Sequence, residues 1–217
     1  SITNWTAGPT IREGIHTWRV KPVDKAGNTN VSLTWTFIVD RTPPSAPVLI
    51  LPPNGDYTNN TAITMLWQKS IDTGSGITNY QVYTNGRLAA TVSWSITNWT
   101  AGPTIREGIH TWRIKPYDRA GMTNVSLTWT FIVDRTPPTA PTLILPPNNK
   151  MTNGTSVNMV WLKSTDLNMT NYQVFTNGVL ASTVSWSITN WTAGPTIREG
   201  VHTWRVKPVD KAGNTNV

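Results

Sequence analysis

Apolar and polar residues alternate in short runs along the whole chain. In Ile63-Thr64-Met65-Leu66-Trp67-Gln68 the period of two places Ile63, Met65 and Trp67 on one face of an extended strand, because successive strand side chains point to opposite sides. The same spacing groups Tyr80 with Val82, Trp112 with Ile114, and Leu127 with Trp129, Phe131 and Val133, and these are the expected core positions. Between residues 45 and 138 the pattern predicts seven strands, roughly Val48–Leu51, Ile63–Gln68, Asn79–Thr84, Arg87–Val92, Ser95–Thr100, Ile109–Pro116 and Ser126–Val133. Asn85-Gly86, repeated as Asn177-Gly178, predicts a two-residue type I′ hairpin turn, which needs positive φ at both positions. No amphipathic stretch of helical length competes with an all-β reading.

The pattern recurs at the scale of a domain. SITNWTAGPTIREG begins at Ser1, Ser95 and Ser187, spacings of 94 and 92 residues. Solenoid units are shorter and lean on their neighbours, whereas a sandwich of about 100 residues buries its own core. Each repeat is therefore expected to fold alone. Asp40-Arg41-Thr42-Pro43-Pro44 and Asp134-Arg135-Thr136-Pro137-Pro138 follow apolar runs, and their Pro-Pro steps favour extended backbone. Placing the boundary there makes 45–138 a complete repeat, 1–44 the C-terminal half of another, and 139–217 a repeat lacking its last strand. Incomplete flanks imply a chain that continues in both directions, or halves completed by strand exchange between chains. The linkers lack flexible Gly/Ser composition, so successive repeats should be held semi-rigidly. Residues 1–50 and 95–144 differ at only six positions, among them Asn28/Met122.

Several of these segments resemble fibronectin type III and related bacterial Ig-like repeats. They are the entry Pro43-Pro44-Ser45-Ala46-Pro47, Trp67 in the second strand, Tyr80-Gln81-Val82 in the third, and Trp112-Arg113-Ile114-Lys115-Pro116 in the sixth. Asp118-Arg119-Ala120-Gly121, written Asp24-Lys25-Ala26-Gly27 in the first copy, is similar to the turn after the sixth strand of such repeats. One departure is a Trp in the sixth strand where the family usually carries the Tyr of its tyrosine corner. The resemblance implies tandem seven-stranded Ig/fibronectin-III-like β-sandwiches acting as extracellular or cell-surface spacer or adhesive modules with no chemistry of their own.

Composition changes this picture little. Twelve Trp in 217 residues supply core material, and the absence of Cys removes disulfides, thiol catalysis and Cys-based metal sites. No apolar run is long enough to span a membrane, and residues 1–20 carry no leader pattern. The net charge of +7 raises polyanion binding. Arg19 with Lys21, Arg113 with Lys115, and Arg205 with Lys207 alternate with core positions, giving each repeat a short basic surface stripe. Stripes of this kind also deter edge-to-edge strand pairing, and a nucleic-acid surface would interleave exposed aromatics, so no nucleic acid is expected.

Candidate chemistry is sparse. His16, His110 and His202 are one position seen three times, which gives at most one imidazole ligand per repeat, so neither a metal nor a cofactor is expected from them. Thr73-Gly74-Ser75-Gly76 is not a nucleophile elbow, and no catalytic residues are expected. Asp40 and Asp134 sit at the linkers, where calcium stiffens other Ig-like arrays. Each stands beside an Arg, with Asp56 lost from the next copy, so an ion-paired or turn-capping role is the expectation over a calcium ligand. Asn4, Asn30, Asn59, Asn98, Asn124, Asn153, Asn168 and Asn190 satisfy the Asn-x-Ser/Thr pattern for glycans. The sequence thus points to a structural repeat array in a homopolymeric or bundled extracellular filament, its partners being neighbouring repeats. A second reading is an adhesin or carbohydrate-binding module using Trp94, Trp99 and Tyr117.

Overall fold

The computed structural model describes residues 4–8, 10–103, 105–195 and 197–216, and the secondary structure of these residues is entirely β. The strands are β1 (Gly14–Trp18), β2 (Trp35–Val39), β3 (Leu49–Leu51), β4 (Asp56–Thr58), β5 (Ile63–Trp67), β6 (Ile77–Thr84), β7 (Arg87–Ser93) and β8 (Asn98–Ala101). They continue as β9 (Gly108–Asp118), β10 (Trp129–Val133), β11 (Leu143–Leu145), β12 (Val157–Trp161), β13 (Met169–Thr176), β14 (Val179–Ser185), β15 (Asn190–Ala193) and β16 (Trp204–Asp210).

The chain divides into two compact units. The first comprises Ser1–Asn54, Ile63–Ala101 and His110–Thr130, and the second Gly55–Ala62, Gly102–Ile109 and Phe131–Val217. In the first, β1 and β2 form an antiparallel pair, and β3-β5-β8 form an antiparallel sheet. The other sheet of the sandwich is formed by β9, β6 and β7 in that order, with β6 antiparallel to both β7 and β9. Trp67 from β5 meets Tyr80 from β6 edge-on at 5.6 Å between centroids, which is where the two sheets interdigitate. Met65, Val82, Trp112 and Ile114 complete that buried layer as their period of two predicts.

The second unit repeats the plan with β11-β12-β15 facing β14-β13-β16. Met159, Trp161, Tyr172, Val174, Ala193 and Val206 form its core, and Trp191 packs against it. Trp161 meets Tyr172 edge-on at 5.5 Å. Also in this unit, β4 pairs in parallel with β10, Asp56–Thr58 lying beside Phe131–Val133.

Four expectations are corrected. No strand was expected at 56–58, where Asp56-Tyr57-Thr58 is too short for its own alternation to show; it is an edge strand fixed by its neighbour β10. Ser95 lies in a turn, so β8 starts at Asn98, and β9 runs on to Asp118. Leu127 is not a core residue; it is 77% exposed, and β10 starts only at Trp129. The reason is Ser126, which is buried: its hydroxyl accepts the Ile114 N–H at 2.9 Å and donates to the Leu127 carbonyl at 2.7 Å. Turning Ser126 inward turns Leu127 out.

The hairpin turns are as expected. Asn85 and Gly86 have φ of 50° and 77°, and Asn177 and Gly178 have φ of 50° and 81°.

Candidate functional site

The two Asp-Arg-Thr-Pro-Pro segments are held by side-chain hydrogen bonds within their units. In the first, Glu13 accepts the Arg41 N–H at 2.6 Å and the Thr42 hydroxyl at 3.1 Å, while Asp40 accepts the Thr42 N–H at 3.0 Å. The Arg41 guanidinium donates to the Ile11 carbonyl at 3.1 Å, and the Asn124 amide donates to the Pro44 carbonyl at 3.0 Å. In the second, Glu107 accepts the Arg135 N–H at 2.6 Å and the Thr136 hydroxyl at 3.2 Å. The Arg135 guanidinium donates to the carbonyls of Ile105 and Asn60, each at 2.9 Å. The linker arginines thus bind backbone carbonyls, and the linker aspartates cap turns.

Those aspartates also have acidic company that the sequence reading missed. One oxygen each from Asp40, Asp72 and Asp118 lies within 4.8 Å of the others, and Asp134, Asp166 and Asp210 repeat the arrangement in the second unit. Asp118 and Asp210 are buried at the ends of β9 and β16, Asp40 follows β2, and Asp72 sits in the β5–β6 loop. The recurrence of Asp24, Asp118 and Asp210 before Ala-Gly was the available signal. It acquires meaning only once the strands bring those loops to one end of the sandwich.

Donors hold two of the aspartates below the ordinary carboxylate pKa. For Asp40 the chief cause is the Ser75 hydroxyl, then the Thr42 N–H, partly opposed by desolvation. For Asp24 it is the Asn28 side-chain amide, followed by the Asn28 N–H.

The structure scatters the other candidates. Arg19 and Lys21 are exposed; Arg113 lies over Tyr83 at 5.2 Å, Lys115 over Tyr117 at 4.9 Å and Arg205 over Phe175 at 4.7 Å, with Lys207 half-buried. Of the sequons, Asn4, Asn30, Asn59, Asn98, Asn153 and Asn190 are exposed. Asn124 and Asn168 are half-buried with their amides engaged, Asn168 donating to Asp134 at 3.1 Å. His110 and His202 contact the amides of Asn85 and Asn177 at 3.1 and 3.0 Å, and His16 stacks on Phe37. Trp94 is about half exposed, but Lys69 lies over its ring at 3.8 Å; Trp99 is half-buried. No helix among the described residues is long and apolar enough to cross a membrane.

No family model and no curated protein matches the chain. Among solved structures it is similar to the fibronectin(III)-like modules of Clostridium thermocellum CbhA, with a TM-score of 0.62 at 12% identity over 79% of this chain and 89% of that one. The fold is that of the fibronectin type III module. Domains A168–A170 of titin agree with it, with a TM-score of 0.54 at 13% identity over 91% of this chain and 70% of that one. The fibronectin type III sandwich accounts for the facing sheets β3-β5-β8 and β9-β6-β7 of the first unit and for β11-β12-β15 and β14-β13-β16 of the second.

Proposed function

We propose that this chain is a non-catalytic structural segment of a long extracellular filament or surface stalk, in which fibronectin type III-like repeats bounded at 44/45 and 138/139 supply length and stiffness. The observation that carries this reading is the linker network. Glu13 with Arg41 and Glu107 with Arg135 tie two separate linkers by the same bonds, the arrangement expected where each junction must reproduce the last. Near-identity of the copies argues the same way, since a strongly repeated surface serves assembly into a homopolymer or bundle. The exposed sequons are proposed glycan sites of such a fibre, and the basic stripes are proposed contacts between neighbouring chains.

The adhesin reading has less support, because a sugar platform needs an open aromatic face and Lys69 covers that of Trp94, as Lys163 covers Trp186 at 3.5 Å. Electron imaging of the natural protein tests the proposal. Strings of beads or filaments support it, and isolated globular particles count against it.

A further inference from the structure

Within the second unit, the segment Gly55–Ala62 meets the turn at 210–214. The Lys211 ammonium lies over the Tyr57 ring at 4.9 Å, and the Asn59 amide donates to the Asn214 side-chain carbonyl at 3.1 Å. The Asn214 amide in turn donates to the Asp134 carbonyl at 2.8 Å, and the Arg135 guanidinium holds the segment through the Asn60 carbonyl. By the proposed boundaries the segment belongs to one repeat and the turn to the next, so these contacts lock a junction.

The two sides of that lock are not the same in every copy. Residues 1–31 and 187–217 differ only at Ile15/Val201. Residues 95–125 depart from 187–217 at five positions, Ile109/Val201, Ile114/Val206, Tyr117/Val209, Arg119/Lys211 and Met122/Asn214. The outer copies are thus of one kind and the central copy of another, in alternating order. Three of the five differences lie in or beside the turn that touches the neighbouring segment. That segment changes as well, with Met151 in the next repeat where the central one has Tyr57, while Asn153 matches Asn59.

We propose that junctions come in two kinds and that each selects its neighbour, so that the two kinds of repeat alternate along the array. A central-type repeat presents Tyr57 and Asn59 to a turn carrying Lys and Asn, and an outer-type repeat presents Met151 to the Arg119–Met122 turn of a central-type repeat. The inference rests on the array reading above. An aromatic face suits a cation, and the Asn59 amide is satisfied by a carbonyl, which Asn214 has and Met122 lacks. Met151 is 91% exposed, a flexible apolar chain on the surface, and Met122 is its counterpart because two thioether chains adapt to one another's shape. Selection is then the difference between matched and mismatched pairings.

Hydrogen exchange of the whole 217-residue chain, read on peptides covering 55–62, tests this. Tyr57→Met and Asn214→Met should each speed exchange there about fivefold, the effect of losing one exposed cation–π or hydrogen-bond contact. The double variant builds a Met–Met pairing and should return to within about twofold of the unchanged chain. Tyr57→Phe keeps the ring face and should change nothing. If Asn214→Met also loses protection in β13, Lys211→Met combined with Tyr57→Met reads the same cycle with the same expectation. Exchange in the double variant equal to the product of the single effects, or no change in either single variant, would overturn the proposal. Filaments seen by imaging without this coupling would overturn the inference alone and leave the array reading standing.

Discussion

The Tyr80 hydroxyl accepts the backbone N–H of Ser70 at 2.8 Å inside the sandwich, and Tyr172 makes the same contact with Ser164 at 2.7 Å. Tyr80 sits on β6 and Tyr172 on β13, and each fixes the loop that leaves the preceding strand, β5 or β12. Tyr80→Phe keeps the ring against Trp67 but strands a buried N–H, so it should destabilise by about 1–3 kcal/mol. Denaturant unfolding followed by Trp fluorescence measures this, and Tyr172→Phe should give a matching loss. An unchanged midpoint in both would mean that the hydroxyls do not hold the loops.

Asn85 does more than permit a tight turn. Its side chain accepts the Thr111 N–H at 3.0 Å and contacts His110, latching the β6–β7 hairpin to β9 while its own φ is positive. Asn85→Ala should therefore cost about 1–3 kcal/mol, from the strained backbone and the lost bonds together. Asn85→Gly should recover the backbone part. Equal losses in the two variants would show that the bonds alone matter.

Core and surface tryptophans should behave differently. Trp112 is 1% exposed and packs on Trp129 at 6.2 Å, so Trp112→Ala should cost about 3–5 kcal/mol. Trp94→Ala removes a ring that is already half in solvent, and its cost should stay under about 1 kcal/mol. The contrast is read in the same unfolding assay, and a costly Trp94→Ala would contradict the placement of that ring.

Acid should weaken the fold through Asp40 and Asp24. Their folded-state pKa values lie below the ordinary 3.8, so each contributes stability that is present above that value and lost as pH falls through the lower folded one. Tm should hold through neutral pH and fall below about pH 4. Asp40→Asn should flatten the acid limb, and an acid limb of unchanged slope in that variant would assign it to other carboxylates.

Much of the fold was legible in the sequence because burial imposes a period of two. Met65, Trp67, Tyr80, Val82, Trp112 and Ile114 were placed by that period alone, and Asn85-Gly86 by turn chemistry. What escaped it was governed by neighbours. The short β4 depends on β10, and Leu127 is turned out because the neighbouring Ser126 hydroxyl accepts the Ile114 N–H of β9. The acidic clusters escaped for the same reason, since Asp72 and Asp118 are 46 residues apart and meet only when the loops at one end of the sandwich converge.

The proposed tandem array of independently folding, near-identical repeats is tested most directly by pulling single molecules of the natural protein by force microscopy. With a spacing of 94 residues, each repeat should release roughly 300 Å of chain, giving an evenly spaced series of unfolding peaks. A single unfolding event, or steps of irregular length, would contradict the account.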